Sequence, residues 1–225
     1  KIIVKDYFVE KKSSSRYLSK TKKVDFYLQH LDSANFFKKK DIEKSLSFIE
    51  KALENKQNKK RNAATYKVLA DIYFYWKQYD LAVYNYKLSN QIKEEVNTKI
   101  SLANAQLLLK KYSDSKKIYL ELVKEKLSNY EKIQVYEGLG DVNFAQKNWA
   151  YANVNYDLAL QIAKNNLVTP KITDLSSKMA DVYARQGKID DAEFSFINSM
   201  NLAANENPER ALKEEEKVAA FYNDN

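Results

Sequence analysis

Few residues in this chain of 225 have the types and spacing that catalysis or metal binding needs. His30 is the only histidine and there is no cysteine, so the sequence offers no thiolate nucleophile and no His- or Cys-based metal site. No Ser–His–acid arrangement is persuasive. Gly138 and Gly140 lie inside a helical pattern, which makes them packing glycines and not a phosphate-binding loop. We therefore predict no catalytic residue, no cofactor, no metal and no enzymatic activity.

Three aspartates are the polar residues with the most regular setting. Asp71, Asp141 and Asp181 each follow directly after a small residue in an apolar pattern of period near 3.6. In one interpretation these carboxylates face a basic or amide-rich ligand. In the other, each aspartate pairs with a neighbouring helix. The sequence leaves both interpretations open.

The stretch 65–92 shows the unit that must position these aspartates. Its first half places four residues on one helical face: Tyr66, Leu69, Ala70 and Tyr73. A polar turn follows, and the second half places another set on one face: Tyr79, Ala82, Val83, Tyr86 and Ser89. This pattern predicts two helices joined by a short turn. Such a hairpin cannot bury both of its faces alone, so we expect it to need neighbours.

The same unit recurs along the chain. The small residue of the first helix returns at spacings of 37, 33, 37 and 40, as Ser33, Ala70, Ala103, Gly140 and Ala180. A second small residue follows 12 positions later, as Ser45, Ala82, Ser115, Ala152 and Ala192. A large residue comes four positions after that, as Ile49, Tyr86, Tyr119, Tyr156 and Phe196. Constant offsets through five units predict a stacked array, in which the tyrosines are core residues.

This pattern resembles the tetratricopeptide repeat, best in Tyr66-x-x-Leu69-Ala70-x-x-Tyr73 and in Tyr136-x-x-Leu139-Gly140. The resemblance covers roughly residues 24–222 and implies an all-α fold, a right-handed solenoid of about five helix hairpins plus a terminal helix. Departures from the pattern occur at Asp32, Gln106 and Ser176. The array is similar to those of bacterial regulatory and sensor proteins, which implies signal transduction as a setting.

The predicted organisation is an N-terminal extension at 1–15 and an array at 16–225. The repeats are expected at 24–57, 62–93, 94–127, 128–166 and 169–205, and 208–223 is either a terminal helix or a truncated sixth repeat. We predict a first helix from Arg16, helix caps at Asp41, Ser128, Thr169 and Asn207, and a turn at Gly187 that favours positive φ. No apolar run is long enough for a transmembrane helix, and the compartment stays open.

In the resembling family the first helices line a concave face, which implies a protein or peptide ligand there. The predicted partner-binding residues on that face are Phe37, Lys67, Asp71, Tyr75, Asn104, Leu108, Asp141, Phe144, Asp181 and Arg185. A variety of the family grips a ligand's C-terminal carboxylate with lysines and arginines. Only Lys67, Asn104 and Arg185 partly answer that pattern, so the resemblance does not extend to that subtype.

Two alternative functions stay open, and the first of them comes from the distribution of charge. Residues 1–62 hold 17 Lys and Arg against 8 Asp and Glu, a net of +9, whereas 63–225 hold 21 against 22. The basic quarter could bind nucleic acid or an anionic surface, although we favour a solvated face and do not expect nucleic acid as the main partner. The second alternative is a structural array that self-assembles into a homo-oligomer through its C-terminal repeat face.

Overall fold

The structure, a computed structural model, describes residues 25–55 and 58–224. In this part the chain forms eleven α-helices: α1 (Phe26–Phe37), α2 (Ile42–Glu54), α3 (Lys59–Tyr75), α4 (Tyr79–Ile92), α5 (Val96–Leu108), α6 (Tyr112–Leu122), α7 (Asn129–Ala145), α8 (Trp149–Asn165), α9 (Thr169–Arg185), α10 (Ile189–Ala204) and α11 (Pro208–Asp224). Each helix packs against the next one in the chain. The predicted all-α solenoid of five hairpins and a terminal helix is confirmed. None of these helices has the length and apolar character to span a membrane.

Side-chain caps explain where several helices begin. The carboxylate of Asp41 accepts a hydrogen bond from the amide of Lys44 at 2.9 Å, and Asn207 does the same for Arg210 at 2.8 Å. Ser128 forms a capping box with Glu131. These three predicted caps are confirmed. The predicted cap at Thr169 is wrong, because α9 already includes that residue and Val168 precedes it without a side-chain cap.

The predicted start of the first helix is also wrong. Asp25 has an extended backbone, and its side chain accepts a hydrogen bond from the amide of Tyr27, so α1 begins at Phe26 and not at Arg16. A capped, extended residue interrupts the helix that the apolar stripe predicts. The predicted extension at 1–15 and the lysines before residue 24 lie outside the described residues.

Small residues bring the two helices of each hairpin together. Ala70, Ala103 and Ala180 are fully buried. A Cβ atom on Gly140 would lie 2.3 Å from the ring of Tyr156 in the same hairpin, and one on Gly138 would lie 2.2 Å from the ring of Tyr119 in the preceding hairpin. Both glycines are therefore packing glycines, as predicted, because a side chain would push into an aromatic ring.

The first hairpin has a register that differs by one residue from the prediction. Ala34, not Ser33, is its fully buried small residue. The hydroxyl of Ser45 donates to the carbonyl of Ala34 at 2.7 Å, as Ser115 does to Ala103 at 2.8 Å. The separation is 11 residues in the first pair and 12 in the second. The reason is that α1 ends three residues after Ala34, whereas α5 ends five residues after Ala103, and the α1–α2 connection is only one residue longer.

The turns inside the later four hairpins share a left-handed residue. Gly187 has a φ of 74°, as the sequence predicts. Lys77, Lys110 and Lys147 take the same place with φ near 60°. Lysine is not a residue type that predicts positive φ, so the sequence does not indicate this conformation at the three lysines.

Candidate functional site

The odd-numbered helices form a row, and polar contacts join neighbours along it. Lys178 on α9 reaches the carboxylate of Glu137 on α7 at 2.9 Å. Lys217 on α11 donates to the hydroxyl of Ser177 on α9 at 2.6 Å. At the other end of the row, α1 contacts α3 directly. Seven of the ten predicted site residues fall into three groups along this row.

The first group lies in a cavity of 470 Å³ between the turn after α1 and helices α3, α4 and α5. We call it the N-terminal cavity. The polar and exposed residues that line it are Lys38, Lys39, Asp71, Tyr75, Lys77 and Asn104. Its apolar wall includes the rings of Phe74 and Tyr79. Three of the ten predicted site residues, Asp71, Tyr75 and Asn104, therefore come together here.

The negative charge of the N-terminal cavity is compensated within the chain. Asp71 accepts a hydrogen bond from the hydroxyl of Tyr86 at 2.7 Å and forms an ion pair with Lys67 at 2.9 Å. Burial and the adjacent Asp71 carboxylate raise the pKa of Tyr86, which stays a hydrogen-bond donor. The lysines at 38, 39 and 77 then leave the cavity positively charged. This arrangement suits an anionic ligand better than the basic ligand that the regular placement of Asp71, Asp141 and Asp181 suggests.

A tyrosine–acceptor pair recurs in three hairpins. The hydroxyl of Tyr119 donates to Asn104 at 2.6 Å, and that of Tyr156 donates to Asp141 at 2.7 Å. Together with Tyr86 and Asp71, each tyrosine lies 15 residues after its acceptor. The ring fills the space between the two helices of the hairpin, and the hydroxyl needs a buried partner. The residue after the small residue supplies that partner.

The second group is an ion network between α7 and α9. Lys178 contacts both carboxylate oxygens of Asp141 at 2.7 and 2.8 Å, and Lys171 contacts Glu137 at 2.7 Å. Burial alone would raise the pKa of Glu137, but Lys178 and Lys171 outweigh it and hold the pKa below its usual value. Burial alone would lower the pKa of Lys178, but the carboxylates of Asp141 and Glu137 outweigh it and raise this pKa above its usual value. Asp141 therefore ties two hairpins together.

The third group lies in a cavity of 330 Å³ between α9, α10 and α11, which we call the C-terminal cavity. Its lining includes Asp181, Arg185 and Lys217 over the rings of Phe196 and Phe221. Burial raises the pKa of Asp181, although Lys217 and Arg185 oppose this. Here a half-buried carboxylate faces a cavity.

Three predicted site residues lie elsewhere. Phe37 is the last residue of α1 and lies in the α1–α2 contact, where its ring stacks on Phe48 with centroids 5.7 Å apart. Phe144 packs edge-on against Trp149 at 5.0 Å in the core. Leu108 is exposed and lines neither of the two cavities. Phe37 and Phe144 likewise line neither cavity.

The cavities and the ion network also contain lysines that are not among the ten predicted site residues. Lys38 and Lys39 come four and five residues after Ala34, the offsets that give Phe74 and Tyr75 in the second hairpin. The register centred on Ser33 gives Phe37 and Lys38 at these offsets, and the register centred on Ala34 gives both lysines. Lys178 and Lys217 both lie two residues before the small position of their helices, a spacing that the sequence does show.

Solved structures of low sequence identity share this fold. RapI, in its apo form, aligns over 88% of this chain and 75% of its own with a TM-score of 0.74 and 17% identity. BtubC (BKLC) from P. vanneervenii aligns over 80% of this chain and 83% of its own, with a TM-score of 0.68 and 22% identity. TTC0263, a thermophilic TPR protein in Thermus thermophilus, covers 87% of this chain and 98% of its own with a TM-score of 0.65 and 15% identity.

No protein-family model and no curated protein sequence matches the chain. The similarity to solved structures nevertheless confirms the resemblance at the level of fold, and the chain has a tetratricopeptide-like helical-repeat fold. Identities of 22% or less carry no ligand from those proteins to this one.

Proposed function

We propose that this chain is a non-catalytic scaffold that binds a protein or peptide along the row of odd-numbered helices. The N-terminal cavity is the observation that carries this proposal. It presents the ring of Tyr75, 45% exposed, at the edge of a concave space of 470 Å³. An exposed aromatic ring beside charged side chains is typical of the residues that dominate binding energy in protein interfaces.

The charges of this cavity define the ligand more closely. Asp71 is already paired with Lys67, whereas Lys38, Lys39 and Lys77 line the cavity without a carboxylate partner among the described residues. We infer a peptide segment that carries an apolar or aromatic anchor for the aromatic wall and acidic side chains next to it. In this role the chain is the interaction part of a larger bacterial regulator.

A peptide selection tests the proposal. Peptides from a random displayed library are selected on the purified chain and then measured against two variants, Tyr75→Ala and Tyr84→Ala. Tyr84 is the matched control, because it is an exposed tyrosine on α4 that lines neither cavity. We expect acidic peptides with an apolar anchor, and a loss of about tenfold or more in affinity for Tyr75→Ala only, as expected for a central interface residue.

Two results would contradict the scaffold. One is the absence of any enriched peptide. The other is an equal effect of both tyrosine variants. Binding that vanishes with moderate salt and does not depend on Tyr75 would instead favour an anionic surface held by the lysines alone.

Self-association is a second candidate function. Ala219 has the position in α11 that Ala180 has in α9, yet Ala180 is fully buried and Ala219 is exposed. We infer that a second copy of the chain could cover the exposed face of α11 that carries Ala219. Sedimentation at low and high protein concentration tests this, with Ala219→Arg as the blocking variant. A monomer at all concentrations would contradict it.

A further inference from the structure

Asp181 has the register position of the acceptors in the tyrosine–acceptor pairs but lacks the tyrosine. Asp71, Asn104 and Asp141 each accept a hydrogen bond from a tyrosine 15 residues later. The residue 15 positions after Asp181 is Phe196, which has no hydroxyl. The fifth hairpin thus keeps the acceptor and loses the donor.

The lysine partner is missing as well. In the preceding pair of hairpins, Lys178 on α9 reaches back to Asp141 on α7. The corresponding lysine of α11 is Lys217, but its ammonium group contacts the carboxylate of Glu214 at 2.8 Å and the hydroxyl of Ser177. In the range 25–55 and 58–224, no hydrogen bond or ion pair to the carboxylate of Asp181 is formed.

The C-terminal cavity lies where both partners are missing. Phe196 and Phe221, only 3% and 6% exposed, form its apolar floor with ring centroids 5.2 Å apart. Arg185 and Lys217 stand at its side. A half-buried carboxylate thus faces a concave, partly aromatic space with no donor from its own chain.

We propose that the C-terminal cavity is a subsite for a tyrosine side chain of the bound peptide, whose hydroxyl donates to Asp181 the hydrogen bond that Phe196 cannot supply. This subsite rests on the proposed peptide-binding function and names one residue of the ligand.

The surroundings of Asp181 favour a phenol over other donors. The two cations, Arg185 and Lys217, oppose a ligand ammonium group, so a neutral donor fits better. The aromatic floor favours a ring. A phenylalanine side chain would fill the same space but leave the carboxylate without a partner, and a site built to accept a hydroxyl discriminates strongly against an analogue that lacks it.

The test uses N-acetyl-tyrosinamide and N-acetyl-phenylalaninamide as probes of the whole chain, with binding followed by NMR chemical shifts. We expect the tyrosine probe to bind about tenfold or more tightly than the phenylalanine probe, because only the former satisfies Asp181. The variant Phe196→Tyr supplies the hydroxyl from within the chain and should abolish binding of the tyrosine probe.

A matched control separates this effect from damage to the fold. Phe194→Tyr makes the same change on the same helix at a site that is 74% exposed, and it should leave binding unchanged. The melting temperature of Phe196→Tyr should equal or exceed that of the unmodified chain, so that lost binding reflects a filled site.

Equal binding of the two probes, or full binding of the tyrosine probe to a folded Phe196→Tyr variant, would overturn the subsite. The two proposals fail separately. Selected peptides that depend on Tyr75, together with no binding of the tyrosine probe, would overturn the subsite and keep the scaffold. A bound tyrosine probe that Phe196→Tyr excludes, with no peptide selected, would keep the subsite and overturn the scaffold.

Discussion

In the fourth hairpin, α7 and α8, the carboxylate of Asp141 accepts hydrogen bonds from Tyr156 and Lys178, each at 2.7 Å. In the fifth hairpin, α9 and α10, Asp181 has the same register position, but a phenylalanine replaces the tyrosine and Glu214 holds the following lysine. The backbone pattern of the two hairpins is the same. The difference lies in the aromatic residue 15 positions after each aspartate and in the contacts of the lysine on the next odd-numbered helix.

This difference shows that one position of the repeat serves two purposes. A partly buried carboxylate with two donors stabilises the stack, because its desolvation is offset by charge-assisted hydrogen bonds. The same carboxylate without donors destabilises the fold, and such a cost is common where a group is kept for binding. The comparison therefore gives Asp141 a structural role and is the reason why we propose Asp181 as the ligand-binding residue.

The largest expected contrast comes from reversing the charge. Asp141→Lys places an ammonium group beside Lys178 and removes the acceptor of Tyr156, so we expect a loss of about 3–5 kcal/mol in the free energy of unfolding. Asp181→Lys breaks no ion pair and should cost about 1 kcal/mol or less. Urea unfolding of both variants measures the contrast. A large loss for Asp181→Lys would show that its carboxylate is structural. Asp141→Lys is for the same reason unsuitable as a probe of ligand binding.

Exchange of the two aromatic residues should give effects of opposite sign. Tyr156→Phe removes one donor from the buried carboxylate of Asp141, at a cost of about 1–3 kcal/mol. Phe196→Tyr gives Asp181 the donor it lacks and should stabilise the chain by about 0.5–1.5 kcal/mol. Urea unfolding at neutral pH again provides the measurement. Destabilisation by Phe196→Tyr would mean that the fifth hairpin has no room for the hydroxyl and would break the analogy between the hairpins.

The fold could be predicted from the sequence because the array depends on local offsets. Small residues recur where helices touch, and large residues recur where gaps are filled, so the periodicity of Ala70, Ala103 and Ala180 reports packing directly. The first hairpin was the exception. Adjacent small residues, Ser33 and Ala34, offer two registers, and the structure selects Ala34 because α1 ends early, at Phe37.

The candidate site was predictable only in part. The offset of one residue from the small position selects Asp71, Asn104, Asp141 and Asp181, which lie at equivalent positions of α3, α5, α7 and α9. It cannot say which of them is free, because that depends on side chains from other helices, such as Lys178 and Glu214. The register error in the first hairpin also put Phe37 and Lys38 at the offsets where the structure has Lys38 and Lys39.

The turns of the same two hairpins provide a smaller contrast. Lys147 and Gly187 both adopt left-handed backbone, with φ of 61° and 74°. A side chain in this conformation is strained by about 1 kcal/mol, so Lys147→Gly should stabilise the chain by that amount and Gly187→Ala should destabilise it similarly. Thermal or urea unfolding would show both effects. A loss of stability in Lys147→Gly would mean that its side chain makes a contact worth more than the strain.

The smallest expected difference between the two hairpins lies in the pH dependence of their contributions to stability. Burial raises the pKa of Asp181 above its usual 3.8, with Lys217 and Arg185 opposing, so the folded state takes up this proton more readily than the unfolded chain. This group therefore adds stability as the pH falls towards 3.8 and removes it as the pH rises.

The contribution of Glu137 to stability changes with pH in the opposite direction. Burial would raise its pKa, but Lys178 and Lys171 hold it below 4.5, so its contribution is complete above 4.5 and is lost as the pH falls through the folded-state pKa. We expect Asp181→Asn to be more stable than the unmodified chain at neutral pH and Glu137→Gln to be less stable. Both differences should shrink in acid, because protonation removes the charge that each variant lacks. Urea unfolding across this pH range measures them, and a neutral-pH loss in Asp181→Asn would mean that the carboxylate is paired in solution after all.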